Sequence, residues 1–293
     1  MPARIGVMHR SSRRAPTLLA ISLPFLACEP APLDTADPIV TTLTPAELTP
    51  PTEGGPQLVD VRERATFDAG HIAGAAWLDP GALRATVDGI EGQVVPRATA
   101  ESLFGEAGID ATEPVVITGA DNGTDPARVA WTLHVYGQRA PVSLLDGGMQ
   151  AWVSAGRPVT NAVGSPRRSG YLGQPTREEL RVDQAWMLAH LDDDAVAIYD
   201  VRTAEEYAEG HVPGAIHVSW TDGLAADGTF LPADEVRALH GDPEAPTLVV
   251  YCRTGARAAV SWALLRAAGY DDVRLYDGSW AEWGSDPDTP KEP

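Results

Sequence analysis

"TLVVYCRTGARAAVSWALLRAAGY", residues 247–270, sets a cysteine at the corner between a run of β-formers and a helix-like stretch. "TLVVY" has the length and content of a buried strand, and "ARAAVSWALLRAAG" reads as a helix that stops at Gly269. Further out, "AVAIYDV" is a strand bounded by acids, "AEEYAEG" a short helix closed by Gly210, and "DVRLYDG" another strand. Strand, helix and strand at this spacing imply right-handed βαβ crossovers, hence an α/β fold with a parallel sheet and helices on both faces. Ligands of such sheets sit beyond the carboxyl ends of the strands. Cys252 is one residue past the end of "TLVVY", which is where a site is expected.

The pattern occurs twice. "LVDVRERATFDAGHIAGAAWLD" (58–79) and "IYDVRTAEEYAEGHVPGAIHVSW" (198–220) share Asp-Val-Arg, an aromatic (Phe67, Tyr207), Gly-His and Gly-Ala. "LLDGGMQAW" (144–152) and "LYDGSWAEW" (275–283) match in the same order, so the chain is a duplicated domain and not a short-period solenoid. "TNAVGSPRRSGYLGQPTREE", rich in Gly, Pro and polar residues, reads as the linker. The expected division is a first domain over 42–158, a linker over 159–177, a second domain over 178–286 and a tail over 287–293.

The N-terminus reads as an address. Arg4, Arg10, Arg13 and Arg14 form a basic region ahead of the apolar run "APTLLAISLPFLAC", which is too short to span a bilayer comfortably and is similar to a secretory h-region. Its end, "FLAC", resembles a bacterial lipobox with Phe25 where Leu is more usual. That reading makes residues 1–27 a signal peptide, Cys28 the lipidated first residue of an exported protein, and 28–41 a tether to a membrane. The other reading is an ordinary signal peptide cut near Ala27. The formal charge of −19 argues against nucleic acid as a partner, since a polyanion needs a basic footprint. Small anions are not excluded, because a local basic pocket outweighs distant screened charge.

With Cys28 in the tether, the folded body has one thiol and no disulfide partner. In an oxidising compartment such a thiol is a liability unless it is buried or used. A loop entering a helix N-terminus presents unpaired N–H groups and the positive end of the helix dipole. Curled around one atom, those groups make an anion cradle, and Gly255 supplies the freedom for the curl. The same field, with Arg253 and Arg257 beside it, favours the thiolate of Cys252.

With "DVR…GHIAGA", "DVR…GHVPGA", "CRTGAR", "DGG…W" and "DGSWAEW" in order, the chain resembles the tandem-domain rhodaneses, sulfurtransferases acting on thiosulfate or 3-mercaptopyruvate. The resemblance covers roughly residues 42–286. It implies two rhodanese domains, each a parallel five-stranded sheet with flanking helices, and chemistry in the second alone. The first-half counterpart of the loop, "VVITGADNGTDPARVAW", is longer, lacks cysteine and carries Asp121 and Asp125, which repel an anion. The first domain is therefore expected to be a non-catalytic wall of the site.

The resemblance makes Cys252 the nucleophile and its loop, Arg253, Thr254, Gly255, Ala256 and Arg257, the substrate cradle. Four residues separate Cys252 from Arg257, one fewer than in the related phosphatases and arsenate reductases. A cradle of that size is filled by a single transferred sulfur. Arg253 is expected to face the sulfonate of thiosulfate. Arg257 has two readings, a substrate contact or a brace for the loop, and so does Arg202, as the substrate-contacting arginine of two-domain relatives or as the partner of Asp200. Arg253 after the cysteine, and a short "TAEEYAE" without an extra arginine, favour thiosulfate over 3-mercaptopyruvate. A thiol or a cyanide-like thiophile is the expected acceptor, with a non-enzymatic sulfur carrier as the alternative. His71 and His211 occur in both halves and are read as braces. No metal or other cofactor is implied.

Overall fold

The computed structural model describes residues 1–3, 40–162, 164, 170–241 and 247–293. Residues 4–27 of the segment read as a signal, and the Cys28 lipidation site, lie outside the described residues.

The first half contains β1 (Val40–Leu43), β2 (Gln57–Asp60), α1 (Arg64–Ala69), β3 (Ala76–Trp77), β4 (Arg84–Val87) and β5 (Ile90–Val94). It continues with α2 (Arg97–Glu106), β6 (Val115–Thr118), α3 (Thr124–Val135), β7 (Val142–Leu145) and α4 (Gly148–Ser154). The second half contains β8 (Arg181–Val182), α5 (Gln184–Ala189), β9 (Val196–Asp200), α6 (Ala204–Ala208) and β10 (Ile216–His217). Then come α7 (Ala233–His240), β11 (Thr247–Tyr251), α8 (Ala256–Ala267), β12 (Asp272–Tyr276) and α9 (Ser279–Trp283).

Each half builds a five-stranded sheet, in the order β1-β7-β6-β2-β3 and β8-β12-β11-β9-β10, with every neighbouring pair parallel. The two orders are the same once the halves are aligned, as the repeat requires. The central strands β6 and β11 are almost wholly buried, as expected of strands covered by helices on both faces. The first sheet takes in Val40 and Thr41, which the sequence reading assigned to the tether: they pair with Val142 and Ser143. The linker is also partly built in. Thr160 bridges to His71, and the ring of Tyr171 packs 5.0 Å from Phe104.

Two features shape the site, one that departs from the repeat and one that joins its halves. One is the hairpin β4–β5, whose Asp88-Gly89 turn has positive φ at both residues, the conformation of a two-residue hairpin loop. The corresponding stretch of the second half makes a single bridge, Leu224 to Phe230. The other is the pairing of α3 with α8. "ARAAVSWALLRA" is apolar nearly all round, as suits a buried helix, and its face away from the sheet meets α3 in one continuous core. Trp131 and Trp262 are both buried there, and the His134 ring meets Trp262 edge-on at 5.2 Å.

Candidate active site

Cys252 leaves the carboxyl end of the central strand β11 and is 1% exposed. Gly255 enters α8 with φ +78°, in the left-handed region that an L side chain adopts only under strain. A side chain there would also crowd Arg128: a Cβ would stand 2.8 Å from Arg128 Nη1 and 3.4 Å from Asp277 Oδ1.

The loop's carbonyls are tied down from behind. Trp280 N donates to the Cys252 carbonyl at 2.9 Å, and Ala281 N to the Arg253 carbonyl at 2.8 Å. Because a trans peptide points its N–H opposite to its C=O, the amides of Arg253 and Thr254 turn away from α9. Among the described residues, no amide from Arg253 to Arg257 donates to a protein acceptor. Free amides at the start of a twelve-residue helix are a setting for an anion.

The amide of Cys252 itself is engaged. It donates to Ser279 Oγ at 3.3 Å, while that hydroxyl donates to the Tyr276 carbonyl at 2.8 Å. Ser279 is buried and stands at φ +52°, where its first-half counterpart is Gly148 at φ +57°. A serine in a glycine conformation costs about 1–2 kcal/mol, and the hydrogen bonds offset part of it. Sequence reasoning passed over Ser279.

It also passed over Glu206. Arg257 pairs with both oxygens of that carboxylate, Nη1–Oε2 at 2.6 Å and Nη2–Oε1 at 2.8 Å. Glu206 is placed by its own helix start, where Thr203 and Glu206 form a reciprocal cap. The guanidinium holds Glu206 down at about 2, and the pair, with the nearby Cys252 sulfur, pushes Arg257 above its ordinary range. Arg257 is thus a loop brace that also lies beside the thiol. Arg253 is exposed, Thr254 and Ala256 are half-buried, and Arg253 makes no ion pair among the described residues.

Arg202 makes the Asp200 pair that one of its two readings expects. Its Nε donates to both Asp200 oxygens at 3.0 and 2.9 Å, its Nη2 to Asp200 at 2.5 Å and to the Gly210 carbonyl at 2.7 Å. It is 2% exposed, with the Trp280 ring 4.4 Å from its guanidinium carbon. Arg62 makes the same set of bonds to Asp60 and Gly70 in the half without a cysteine. These contacts lock the turn after β9. His71 and His211 brace the neighbouring turns, stacked on Phe67 and Tyr207 at 4.0 and 3.7 Å.

Residues 44–155 and 183–286 each match the family model described as Rhodanese-like domain. The chain belongs to the rhodanese family. It is 31% identical over 247 residues to the thiosulfate sulfurtransferase of Azotobacter vinelandii, covering 80% of this chain and 90% of that one. It is 36% identical over 197 residues to the probable 3-mercaptopyruvate sulfurtransferase of Pseudomonas aeruginosa, covering 62% and 69%. With the sulfur carrier protein TtuD of Thermus thermophilus it shares 33% over 242 residues, covering 75% and 84%. The solved structure of YnjE superposes with a TM-score of 0.68 at 26% identity, over 80% of this chain but only 61% of that longer one.

Within this rhodanese the halves differ around the loop that carries Cys252. With the two DVR motifs aligned, Glu206 corresponds to Thr66; with Trp131 set on Trp262, Arg257 corresponds to Pro126. Both partners of the ion pair are missing together from the first half. There, Thr66 and Pro126 line a cavity of about 530 Å³ with Asp121, Asp125 and, from the second half, Trp220. The first rhodanese domain does reach the Cys252 loop. Gly92 of the β4–β5 hairpin packs so closely on Thr254 that a Cβ would lie 2.7 Å from the Thr254 carbonyl oxygen.

Proposed function

We propose that this chain is a sulfurtransferase that moves a sulfane sulfur from thiosulfate to a thiophilic acceptor through a persulfide on Cys252. The observation that carries the reading is the set of unpartnered amides from Arg253 to Arg257 beside the one thiol among the described residues. In the first step the thiolate attacks the outer sulfur of thiosulfate. The bond between the two thiosulfur atoms breaks, sulfite leaves with the electron pair, and Cys252 carries a persulfide. The loop amides supply hydrogen bonds to the charge on its terminal sulfur. In the second step a thiophile such as cyanide, or a cellular thiol, attacks that sulfur and returns the thiolate. Thiocyanate is the product with cyanide. Exposed Arg253 is the guanidinium free to meet the sulfonate.

Thiosulfate is favoured over 3-mercaptopyruvate by Arg253 directly after the cysteine, and the resemblance to relatives named for each donor makes donor preference the informative assay. Incubation with thiosulfate and cyanide is expected to give thiocyanate, with no phosphate released from an aryl phosphate. Cys252→Ser is expected to abolish transfer with the fold retained. Phosphate release without thiocyanate contradicts the reading.

Export as a lipoprotein is part of the proposal. It is supported by the basic region, the apolar run and "FLAC" alone. The expected result is a membrane-fraction protein beginning at Cys28 with a lipid-sized mass increment, absent in Cys28→Ala.

A further inference from the structure

Asp277 lies directly behind the active-site loop, and the way its charge is handled differs between the two halves. Its carboxylate is 1% exposed, accepts from Val94 N of the β4–β5 hairpin at 3.0 Å and from Arg128 Nη2 at 2.5 Å, and forms an ion pair with Arg181 Nε at 3.2 Å. The first-half counterpart, Asp146, also accepts an amide from across the halves, that of Phe230 at 3.0 Å, but its other side-chain partner is the neutral Asn122 amide at 2.6 Å. The residue corresponding to Arg128 on α8 is Ala259, and the residue corresponding to Arg181 at the sheet edge is Thr42. The aspartate that ties the halves together is thus present twice, and the two cations only where the loop holds a cysteine.

Arg128 comes from α3 of the domain without a cysteine and is 1% exposed. Its Nη2 is shared between Asp277 and the Gly92 carbonyl at 3.0 Å, and its guanidinium carbon lies 4.3 Å from the Trp131 ring. Its Nη1 and Nε are buried without an acceptor, and Nη1 stands against Gly255. On the other side of the loop Arg257 is already matched by Glu206, and Arg253 is exposed. The charge behind the loop is therefore set by Asp277, Arg128 and Arg181.

We propose that Arg128 is a positioning residue of the Cys252 site: with Arg181 it cancels the Asp277 carboxylate, so that the aspartate can join the halves without opposing negative charge in the loop. A buried anion this close to Gly255 would disfavour both the thiolate and an anionic donor, and a neutralised one does neither. The inference rests on reading Cys252 as the sulfur-carrying nucleophile. Alkylation of the thiol is scored separately from sulfur transfer, so a failure of one is distinguishable from a failure of the other.

The test measures the rate at which neutral iodoacetamide alkylates Cys252 at neutral pH, with kcat and KM for thiosulfate alongside. The full-length protein is compared with Arg128→Met, Asp277→Asn and the double variant. Arg128→Met should slow alkylation by about three- to tenfold and raise KM more than it lowers kcat. Asp277→Asn, which leaves the cations in excess, should alkylate no more slowly than the parent. The double variant should return to within about twofold of the parent. If Asp277→Asn slows alkylation as Arg128→Met does, or if the double variant is slower than either, the residues act through packing alone and the proposal is overturned. Should Arg128→Met fail to fold, the sign of the Asp277→Asn effect decides.

Discussion

Ser279 shows what single residues contribute here. Its φ of +52° is one that glycine adopts without strain, and its hydroxyl spends that strain on holding the amide of Cys252. Ser279→Ala keeps the strain and loses the bonds, whereas Ser279→Gly loses the bonds and relieves the strain. Urea denaturation should therefore rank alanine below glycine by about 1 kcal/mol. The opposite ranking would mean that the conformation is not strained. Cys252, Gly255 and the loop were legible in the sequence, because the cysteine stands at a strand-to-helix corner together with Arg253, Gly255 and Arg257. Ser279 was not, since "DGS" is an ordinary turn until its backbone angles are known. Arg202 was legible as a recurring motif but ambiguous in role. The duplicate bonds of Arg62 show that this contact set belongs to both halves.

At the level of elements, the Glu206–Arg257 pair fastens α6 to the start of α8. Glu206 is held at about 2 against an ordinary 4.5, so its native form binds protons less readily than its unfolded form. The contribution is complete above about pH 5 and is lost as the pH falls through 4.5 towards 2. With part of the pair in solvent it amounts to about 1 kcal/mol. The melting temperature of the parent should exceed that of Glu206→Gln near neutral pH, and the gap should close by about pH 2. A gap that does not change with pH contradicts this account. The hairpin gives a second test at this scale. Gly92→Ala places a methyl group against the Thr254 carbonyl in a left-handed conformation, at φ +82°. It should lower kcat/KM for thiosulfate by more than tenfold while the sheets stay folded by circular dichroism. Unchanged kinetics would mean that the hairpin does not set the loop. In the second half β9, β11, β12, α6 and α8 were readable from composition and stop signals. The hairpin had its Asp-Gly signal between Val87 and Ile90, but the second half carries no matching pair of strands to draw attention to it.

Over the whole molecule, α3 and α8 share one core, and Asp277 of the second half accepts hydrogen bonds from Val94 and Arg128 of the first, so the second domain lacks a complete loop support without the first. Burial holds His134 at about 3, so its ring stays neutral in this interface across the physiological range. Heating should unfold residues 37–293 in one calorimetric transition, and two separated transitions would contradict a shared core. The duplication was visible in the paired motifs, and with it the two sheets. The face that joins them was not, because contacts between distant segments leave no local period, and Arg128 sits in a helix whose pattern reads simply as apolar. The central claim is that Cys252 accepts one sulfur from a donor and passes it on. The most direct measurement is the intact mass and peptide map of the protein after thiosulfate, then after cyanide. One added sulfur on the Cys252 peptide, removed by cyanide as thiocyanate forms, is the predicted result; thiocyanate formation that persists in Cys252→Ser, or sulfur found on another residue, would contradict it.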